Sequence, residues 1–383
     1  MPDRKKIPVP KNILLWVKAG GRCEFSGCNK ILYHDDFLPF KEHKIADKAH
    51  IVANSPKGAR GDPVYSSVLA TDINNFMLLC KDCHDRIDTN ENLFSVECLK
   101  QMKRLHEERI ERVTGISVNN KTTVITYWAN ISKQKNSIDI NNIMNAVIAD
   151  EKYPIDSDPV DLSLPGHESY DNEELFWVIE ERNLEKRFDA KLKDMIADKS
   201  KNMLYSLFAL APIPLLIKLG SLFTDKTNVH VFQRHREPKD TWEWLNDSDE
   251  LIFLIDEPKD ISTNVVLVLS ISDTISLEDV IKVIGDDVSI WTIKIVNPNN
   301  DCIRSKKDLH SFREIFRTTL RRIKTTHGTD KLINIFPAIP LSVAVEMGRV
   351  WMPKADLPMV IYDRNRGKDL SFKKILEIGV ENE

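Results

Sequence analysis

The sequence lacks a long, uninterrupted apolar run. Its best approximation to a membrane span, residues 204–223, is broken by two prolines, a lysine and a glycine, and this pattern favours a buried strand, a turn and a short helix. The basic beginning of the chain also lacks the apolar segment of a secretory signal. A cytoplasmic protein without membrane contact is therefore expected.

Cysteine is scarce outside the first hundred residues. The chain has 6 cysteines, and all but Cys302 lie between positions 23 and 98. A disulfide framework would need cysteines spread over the fold and an oxidising compartment. In a cytosolic protein, clustering of this kind favours metal binding over disulfides.

Length and charge indicate more than one domain. A chain of 383 residues exceeds what one hydrophobic core usually supports, and 42% hydrophobic with 29% charged residues is typical of a soluble globular protein. Residues 1–115 hold 19 Lys and Arg against 16 Asp and Glu, whereas the remainder holds 35 against 42. The N-terminal part is therefore the better candidate for a polyanionic partner.

Four of the cysteines form two short-spaced pairs, Cys23 with Cys28 and Cys80 with Cys83. A tetrahedral zinc ion needs four soft ligands, which proteins commonly deliver as two such pairs on separate turns. Several glycines beside the first pair suit a tight turn. The pattern predicts a structural zinc site, and the alternative is four unrelated reduced thiols.

A histidine and an aspartate follow the second pair. His84 and Asp88 are four residues apart and therefore share one face of the helix predicted to begin at Cys83. Upstream, His50 lies in a short apolar segment, and Asn75 precedes the apolar run FMLLC. This order of histidine, asparagine and histidine along the chain, framed by the cysteine pairs, resembles the HNH nuclease family over residues 16–114.

The resemblance implies roles in phosphodiester hydrolysis. His50 would be the general base and Asn75 would hold its imidazole in the productive orientation. His84 would bind the catalytic metal, Mg²⁺ or another divalent cation, together with Asp88. Many family members carry a metal ligand immediately before the base.

This sequence departs from the family at that preceding position, which is Ala49. Asp47, three residues before the base, is the nearest substitute as a ligand of the catalytic metal. The alternative is that His50 is a core histidine and that the module is a zinc-stabilised DNA-binding fold without activity.

The later part of the chain contains a repeated unit. Residues 118–163 are polar, with one strand-like stretch, and are predicted to be a connector that partly joins the second domain. Beyond them, the segment at 211–220 is echoed at 337–348, each after an apolar strand; Pro214 and Pro340 are 126 apart, and Arg234 and Arg364 are 130 apart. Unless this is a coincidence between common strand–turn–helix units, the region holds two Rossmann-like halves.

This arrangement resembles the SAVED domain, a pair of fused CARF-like units that senses cyclic oligonucleotides. With the N-terminal module, the whole chain resembles the HNH-SAVED effectors of bacterial anti-phage CBASS defence. Open α/β sheets bind ligands beyond the carboxyl ends of their strands, where arginines, helix starts and indole rings suit phosphates and bases. The predicted nucleotide-binding residues are Arg234, Arg236, Trp242, Trp244, Ser270, Ser272 and Ser342.

The expected organisation is an α+β, zinc-stabilised HNH (ββα-metal) nuclease domain at 1–117, a connector at 118–163, and an α/β SAVED sensor domain of two CARF-like halves at 164–383. The expected function is a double-stranded DNA endonuclease that a cyclic di- or trinucleotide activates, working as a homodimer or homotetramer. Two alternatives remain: a restriction-type nuclease whose C-terminal domain reads DNA directly, which the acidic balance disfavours, and a signal-binding scaffold with an inactive zinc module.

Overall fold

The computed structural model describes residues 7–33, 46–132, 138–166, 169–198, 203–245, 251–364 and 371–380. The chain divides into two compact units, Met1–Ile116 and Ser117–Glu383. Among the described residues, none of the helices combines the length and the apolar character that crossing a bilayer requires.

The first unit is built on a small hairpin-like pair of strands and the helix that follows it. Strand β1 pairs antiparallel with β2, with Ala46 opposite Cys80 and His50 opposite Phe76. Its elements are α1 (Val9–Lys18), β1 (Ala46–His50), α2 (Tyr65–Val68), a 3₁₀ turn (Ile73–Asn75), β2 (Phe76–Cys80), α3 (Lys81–Thr89) and α4 (Val96–Thr114).

Helix α4 begins where the sequence offers a cap. The Ser95 hydroxyl accepts a hydrogen bond from the Cys98 N–H, which satisfies one of the backbone donors that a helix start leaves free. Every residue of β2 is buried, and Leu15 of α1 and Leu99 of α4 are buried in the same core cluster. This core fixes the strand that precedes α3.

The second unit begins with a parallel sheet, which defines the first half of the unit. Its strand order is β4-β3-β6-β7, and β5 also pairs with β3. The strands are β3 (Lys121–Trp128), β4 (Tyr153–Pro154), β5 (Val160–Asp161), β6 (Tyr205–Leu210) and β7 (Val229–Val231).

A six-stranded sheet defines the second half, in the order β13-β12-β11-β9-β10-β8. Its inner strands are parallel, and the two edge strands run antiparallel to their neighbours. The strands are β8 (Leu254–Asp256), β9 (Asn264–Ser270), β10 (Val288–Lys294), β11 (Ile333–Ala338), β12 (Met359–Arg364) and β13 (Phe372–Ile378).

Helices connect these strands. The helices of the second unit are α5 (Ile140–Ala149), α6 (Glu174–Phe188), α7 (Asp194–Ala197), α8 (Ile213–Phe223), α9 (Leu277–Ile284), α10 (Lys306–His327) and α11 (Leu341–Val350). The π-helical turn Asp189–Lys193 joins α6 to α7. The predicted α/β architecture of this part is confirmed, and 204–223 is the expected strand and helix, β6 and α8.

The predicted connector at 118–163 differs from the structure. This segment belongs to the second unit, and its strand β3 lies inside the parallel sheet, where Thr123–Trp128 pair with β6. Although the segment as a whole is polar, β3 itself is almost wholly buried. The segment is part of the first half.

Helices α8 and α11 pack against each other at two glycines. A Cβ atom placed on Gly220 would lie 2.0 Å from the Val345 carbonyl oxygen, and one placed on Gly348 would lie 1.9 Å from the Ile217 carbonyl oxygen. Only residues without a side chain allow the two backbones to approach this closely. The crossing joins the two halves.

The crossing also corrects the alignment of the repeat. Helix α8 begins after Pro212 and α11 after Pro340, so Pro212 rather than Pro214 is the counterpart of Pro340. Pro214 instead lies within the first turn of α8, where proline is tolerated because its missing N–H would have no helical partner.

Candidate functional sites

The four paired cysteines come together in the first unit. Their sulfur atoms all lie within 4.8 Å of one another, and those of Cys28 and Cys80 are 3.9 Å apart. A Zn–S bond of about 2.3 Å in a tetrahedron separates the sulfurs by about 3.8 Å. The set therefore fits a closed structural zinc site, with Cys23 and Cys28 from the turns after α1 and Cys80 and Cys83 at the start of α3.

The surroundings of these thiols bear on metal binding. Burial raises the pKa of the Cys23 thiol to about 11, and burial likewise raises the pKa of Cys83 well above its ordinary value. Thiolates are the species that bind zinc, so a bound cation must displace these protons and compensate the burial of charge. Binding a metal would thereby add to the folding free energy of the unit.

Strands β1 and β2 and helix α3 place the predicted nuclease residues. His50 ends β1, and its ring lies 4.2 Å from the ring of Phe76, centroid to centroid. The His50 Nε2 atom is 3.4 Å from the Ala70 carbonyl oxygen. Because a carbonyl oxygen only accepts, this contact favours the tautomer with a proton on Nε2 and the lone pair on Nδ1.

Asn75 does not hold the His50 imidazole as predicted. Its side-chain oxygen accepts from the Val52 N–H at 2.8 Å, and its amide nitrogen donates to the carbonyl oxygens of Val52 at 2.9 Å and Leu69 at 3.2 Å. The buried amide thus uses both donors on the backbone. It fixes the two segments that flank His50, the one that follows the histidine and the one that leads to Ala70.

Asp47, His84 and Asp88 form a contiguous group. The Asp47 carboxylate lies 3.2 Å from His84 Nδ1, and the Asp88 carboxylate lies 3.4 Å from His84 Nε2. Arg60 donates to the other oxygen of Asp88 at 2.7 Å. All three members of the group are partly exposed, as a site for a metal and a substrate must be.

One ion cannot contact all three side chains in this arrangement. Within the described ranges, only the cysteine cluster places three or more candidate ligand atoms within 4.8 Å of one another. A metal-binding histidine generally donates its second ring N–H to a carboxylate, a backbone carbonyl or water. The donor set fits a cation on His84 Nε2 and Asp88, with Asp47 on Nδ1 as the orienting partner, and the predicted Asp47 ligand is revised accordingly.

A cleft of about 640 Å³ opens at the carboxyl ends of both sheets in the second unit. The ends of β6 and β11 and the first residues of α8 and α11 line it. Helix starts carry partial positive charge and free N–H groups, which favour anions. Arginines from both halves, Arg234, Arg236 and Arg364, share the lining with acidic residues Asp171, Asp273, Asp301 and Asp363.

Three of the seven predicted nucleotide-binding residues lie in this cleft: Arg234, Arg236 and Ser272. The Arg234 guanidinium makes two hydrogen bonds to Asp240, at 2.8 and 2.6 Å. This pairing raises the pKa of Arg234 and lowers the pKa of Asp240, so both groups are charged.

The other four predicted residues do not line the described cleft. Trp242 is only 3% exposed and packs edge-on against Phe208, and Trp244 stacks on Phe232. Trp242 is therefore enclosed by the protein, whereas Trp244 remains partly exposed. The buried Ser270 hydroxyl accepts from the Ile275 N–H. The fourth, Ser342, is buried and binds a side chain of the first half.

That side chain is Gln233, which sequence patterns alone did not mark. Its oxygen accepts from the Ser342 N–H at 3.0 Å and from the Ser342 hydroxyl at 2.7 Å, so a residue of the first half caps helix α11 of the second. Arg364 was also absent from the predicted set. Its correspondence to Arg234 in the repeat was the signal that could have placed it in the cleft.

Comparisons with solved structures give the following likenesses. The chain is similar to the Cap4 SAVED/CARF-domain containing receptor of Acinetobacter baumannii with the cyclic trinucleotide 2′3′3′-cAAA, at 12% identity and a TM-score of 0.40 over 82% of this chain and 66% of that one. It is also similar to the Cap4 SAVED/CARF-domain containing receptor of Moraxella osloensis, at 10% identity and a TM-score of 0.37 over 83% and 70%. The chain thus spans just under two thirds of the first receptor.

No curated protein matches the chain. A family profile does: the sensor domain described as "SMODS-associated and fused to various effectors" matches residues 184–378, which is more than half of the chain. The match includes the whole six-stranded sheet and strands β6 and β7 of the other sheet. The chain belongs to the SAVED family.

Proposed function

We propose that this protein is a metal-dependent DNA endonuclease that a cyclic oligonucleotide activates through the SAVED domain, in anti-phage defence of the CBASS type. The observation that supports nuclease activity is the arrangement of β1, β2 and α3. These elements hold His50, Asn75, His84 and Asp88 in the order of an HNH site, beside a four-cysteine cluster. The cleft that both halves of the second unit line supports nucleotide sensing.

The proposed chemistry follows from the side chains. His50 Nδ1 takes a proton from water as the water oxygen bonds to phosphorus; the bond from phosphorus to the 3′ oxygen breaks, and the leaving oxygen gains a proton from solvent. Asn75 keeps the backbone on both sides of His50 in place. A divalent cation on His84 and Asp88 would supply positive charge for the leaving oxygen.

The proposed ligand matches the chemistry of the cleft. Two helix starts and three arginines suit phosphates, and the carboxylates suit the amino groups of bases. The Acinetobacter receptor was solved with 2′3′3′-cAAA and with 3′3′3′-cAAA. Two nuclease modules brought together would cut both strands of duplex DNA in one encounter, so a homodimer or homotetramer is the expected active form, and sedimentation with nucleotide would detect it.

The test incubates full-length protein and plasmid DNA with Mg²⁺ and a panel of both cyclic triadenylates and several cyclic dinucleotides. We expect cleavage only with an activating nucleotide. The His50→Ala variant should lose activity by about 10² to 10⁴-fold, the usual contribution of a general base. It should keep nucleotide binding and about one zinc ion per chain, as four ligands imply.

The exposed His310 on α10 provides a matched control, because His310→Ala removes an imidazole that contacts Glu314 at the surface and should leave cleavage unchanged. Near-normal cleavage by His50→Ala would show that the base is misassigned. Equal cleavage with and without nucleotide would instead favour a restriction-type nuclease that reads DNA through its second unit.

A further inference from the structure

Arg60 makes an unusual set of contacts in the first unit. Its Nε donates to the Ile51 carbonyl oxygen at 2.8 Å, its Nη1 donates to the Ile87 carbonyl oxygen at 2.7 Å, and its Nη2 donates to Asp88 Oδ1 at 2.7 Å. The side chain is 4% exposed, although that of Asp88 is 44% exposed. A planar guanidinium has a rigid fork of donors, so these three acceptors are held in one geometry.

The three acceptors lie on the two segments that the proposed nuclease needs. Ile51 directly follows His50 at the end of β1, whereas Ile87 and Asp88 lie on α3, one turn after His84. The backbone of Arg60 has a φ of +53°, a left-handed conformation that is unfavourable for a residue with a side chain. A fourth hydrogen bond, from the Arg60 backbone N–H to the Glu91 carboxylate at 3.0 Å, anchors that backbone.

We infer that Arg60 is a positioning residue, which ties the base-bearing end of β1 to the metal-binding face of α3. By occupying Asp88 Oδ1, it leaves Asp88 Oδ2 directed towards His84 Nε2. Lysine could supply the charge but not the fork that reaches two carbonyl oxygens as well. This inference rests on the proposed function, because it assigns the metal to His84 and Asp88.

The experiment measures Mn²⁺ binding to the full-length, zinc-loaded protein without DNA, by calorimetry and by electron paramagnetic resonance. Four variants are compared with the wild type: Arg60→Gln, Arg60→Lys, Asp88→Asn and the double variant Arg60→Gln/Asp88→Asn. Arg104→Gln is the control, because Arg104 pairs with Glu108 on the exposed face of α4.

We expect Arg60→Gln and Arg60→Lys each to weaken Mn²⁺ binding by about 10- to 100-fold, as loss of an orienting partner does. The double variant should bind as weakly as Asp88→Asn alone, because Arg60 acts through Asp88. Unchanged affinity in Arg60→Gln, or losses that multiply in the double variant, would overturn the inference.

If the Arg60→Gln variant lacks bound zinc or shows no thermal unfolding transition, Arg60→Lys takes its place, both alone and combined with Asp88→Asn. Unchanged Mn²⁺ affinity, or losses that multiply in the double variant, would again overturn the inference. Plasmid cleavage by the wild type with the nucleotide panel is measured in parallel. A wild type that neither binds Mn²⁺ nor cleaves DNA would refute the proposed function and this inference with it. A wild type that does both, beside Arg60 variants of unchanged affinity, would refute only the role of Arg60.

Discussion

The two halves of the SAVED unit share a framework but differ where they meet the cleft. Strands β6 and β11, helices α8 and α11 and the crossing glycines correspond one to one. At the cleft, however, Arg234 is held by two short hydrogen bonds to Asp240. Its counterpart Arg364 lies over the Phe372 ring, 4.4 Å from the ring centroid. The Arg364 Nη1 atom is 3.7 Å from the Asp279 carboxylate, which is longer than a hydrogen bond.

The difference separates two tasks. The framework needs matched backbones, because the helices touch through main-chain atoms, and there the halves are alike. The two arginines that face the cleft differ in how many of their donors already have an acceptor, and in this respect the halves diverge. A ligand should therefore meet one arginine whose charge is already compensated and one whose donors are less committed, so the two ends of the cleft are not equivalent.

The largest expected effect breaks the shared framework. Gly220→Ala and Gly348→Ala each place a Cβ atom about 2 Å from a carbonyl oxygen of the facing helix, so the backbones must separate. We expect each to lower the free energy of unfolding by about 3 kcal/mol or more, and by similar amounts. Thermal denaturation checks this, with the neighbouring Ser221→Ala as the control. A large loss in only one glycine variant would show that the crossing is not symmetric.

A smaller effect concerns an ion cluster that ties the halves together. Asp150 of the first half contacts Lys152 and His230 of the same half and Lys306, on α10 of the second. Burial alone would raise the pKa of Asp150, but the contacts with these three partners hold it well below its usual range. A carboxyl with a lowered pKa contributes stability above its unfolded pKa of about 3.9.

This contribution should be lost as the pH falls below that value towards the lower folded pKa. We expect Asp150→Asn to reduce the free energy of unfolding by about 2 kcal/mol at pH 7, the loss typical of hydrogen bonds to charged groups. The difference from the wild type should shrink in denaturant titrations as the pH falls below 4. A constant difference over that range would contradict the assignment.

The smallest effect sharpens the difference between the arginines. We expect Arg364→Ala to weaken binding of the activating nucleotide about tenfold, the loss of one charge-assisted hydrogen bond, and Arg234→Ala to weaken it less. Asp240→Asn should strengthen binding, because it releases the Arg234 fork. Calorimetry would test this order. Arg322→Ala is the control, because Arg322 forms an exposed ion pair with Glu257. A larger loss for Arg234→Ala would reverse the assignment.

Sequence patterns predicted local features better than distant ones. The cysteine pairs lie on turns whose spacing is visible in the chain, and the strand and helix at β6 and α8 follow from their apolar runs. Trp242 was predicted to face a ligand but is buried against Phe208 of strand β6, a contact that only folding brings about. Arg60 carries no motif, since its partners Ile51 and Asp88 are brought to it only by folding.

The glycine crossing also bears on the entropy of recognition. Because α8 and α11 touch backbone to backbone, and both begin in the cleft, the two helix starts are held at a fixed separation before any ligand arrives. Ligand binding then costs little conformational entropy in these helices, so most of the contact free energy contributes to affinity. The sensor is in this sense preorganised, so that shape and charge at the cleft, more than flexibility, should decide which cyclic nucleotide it accepts.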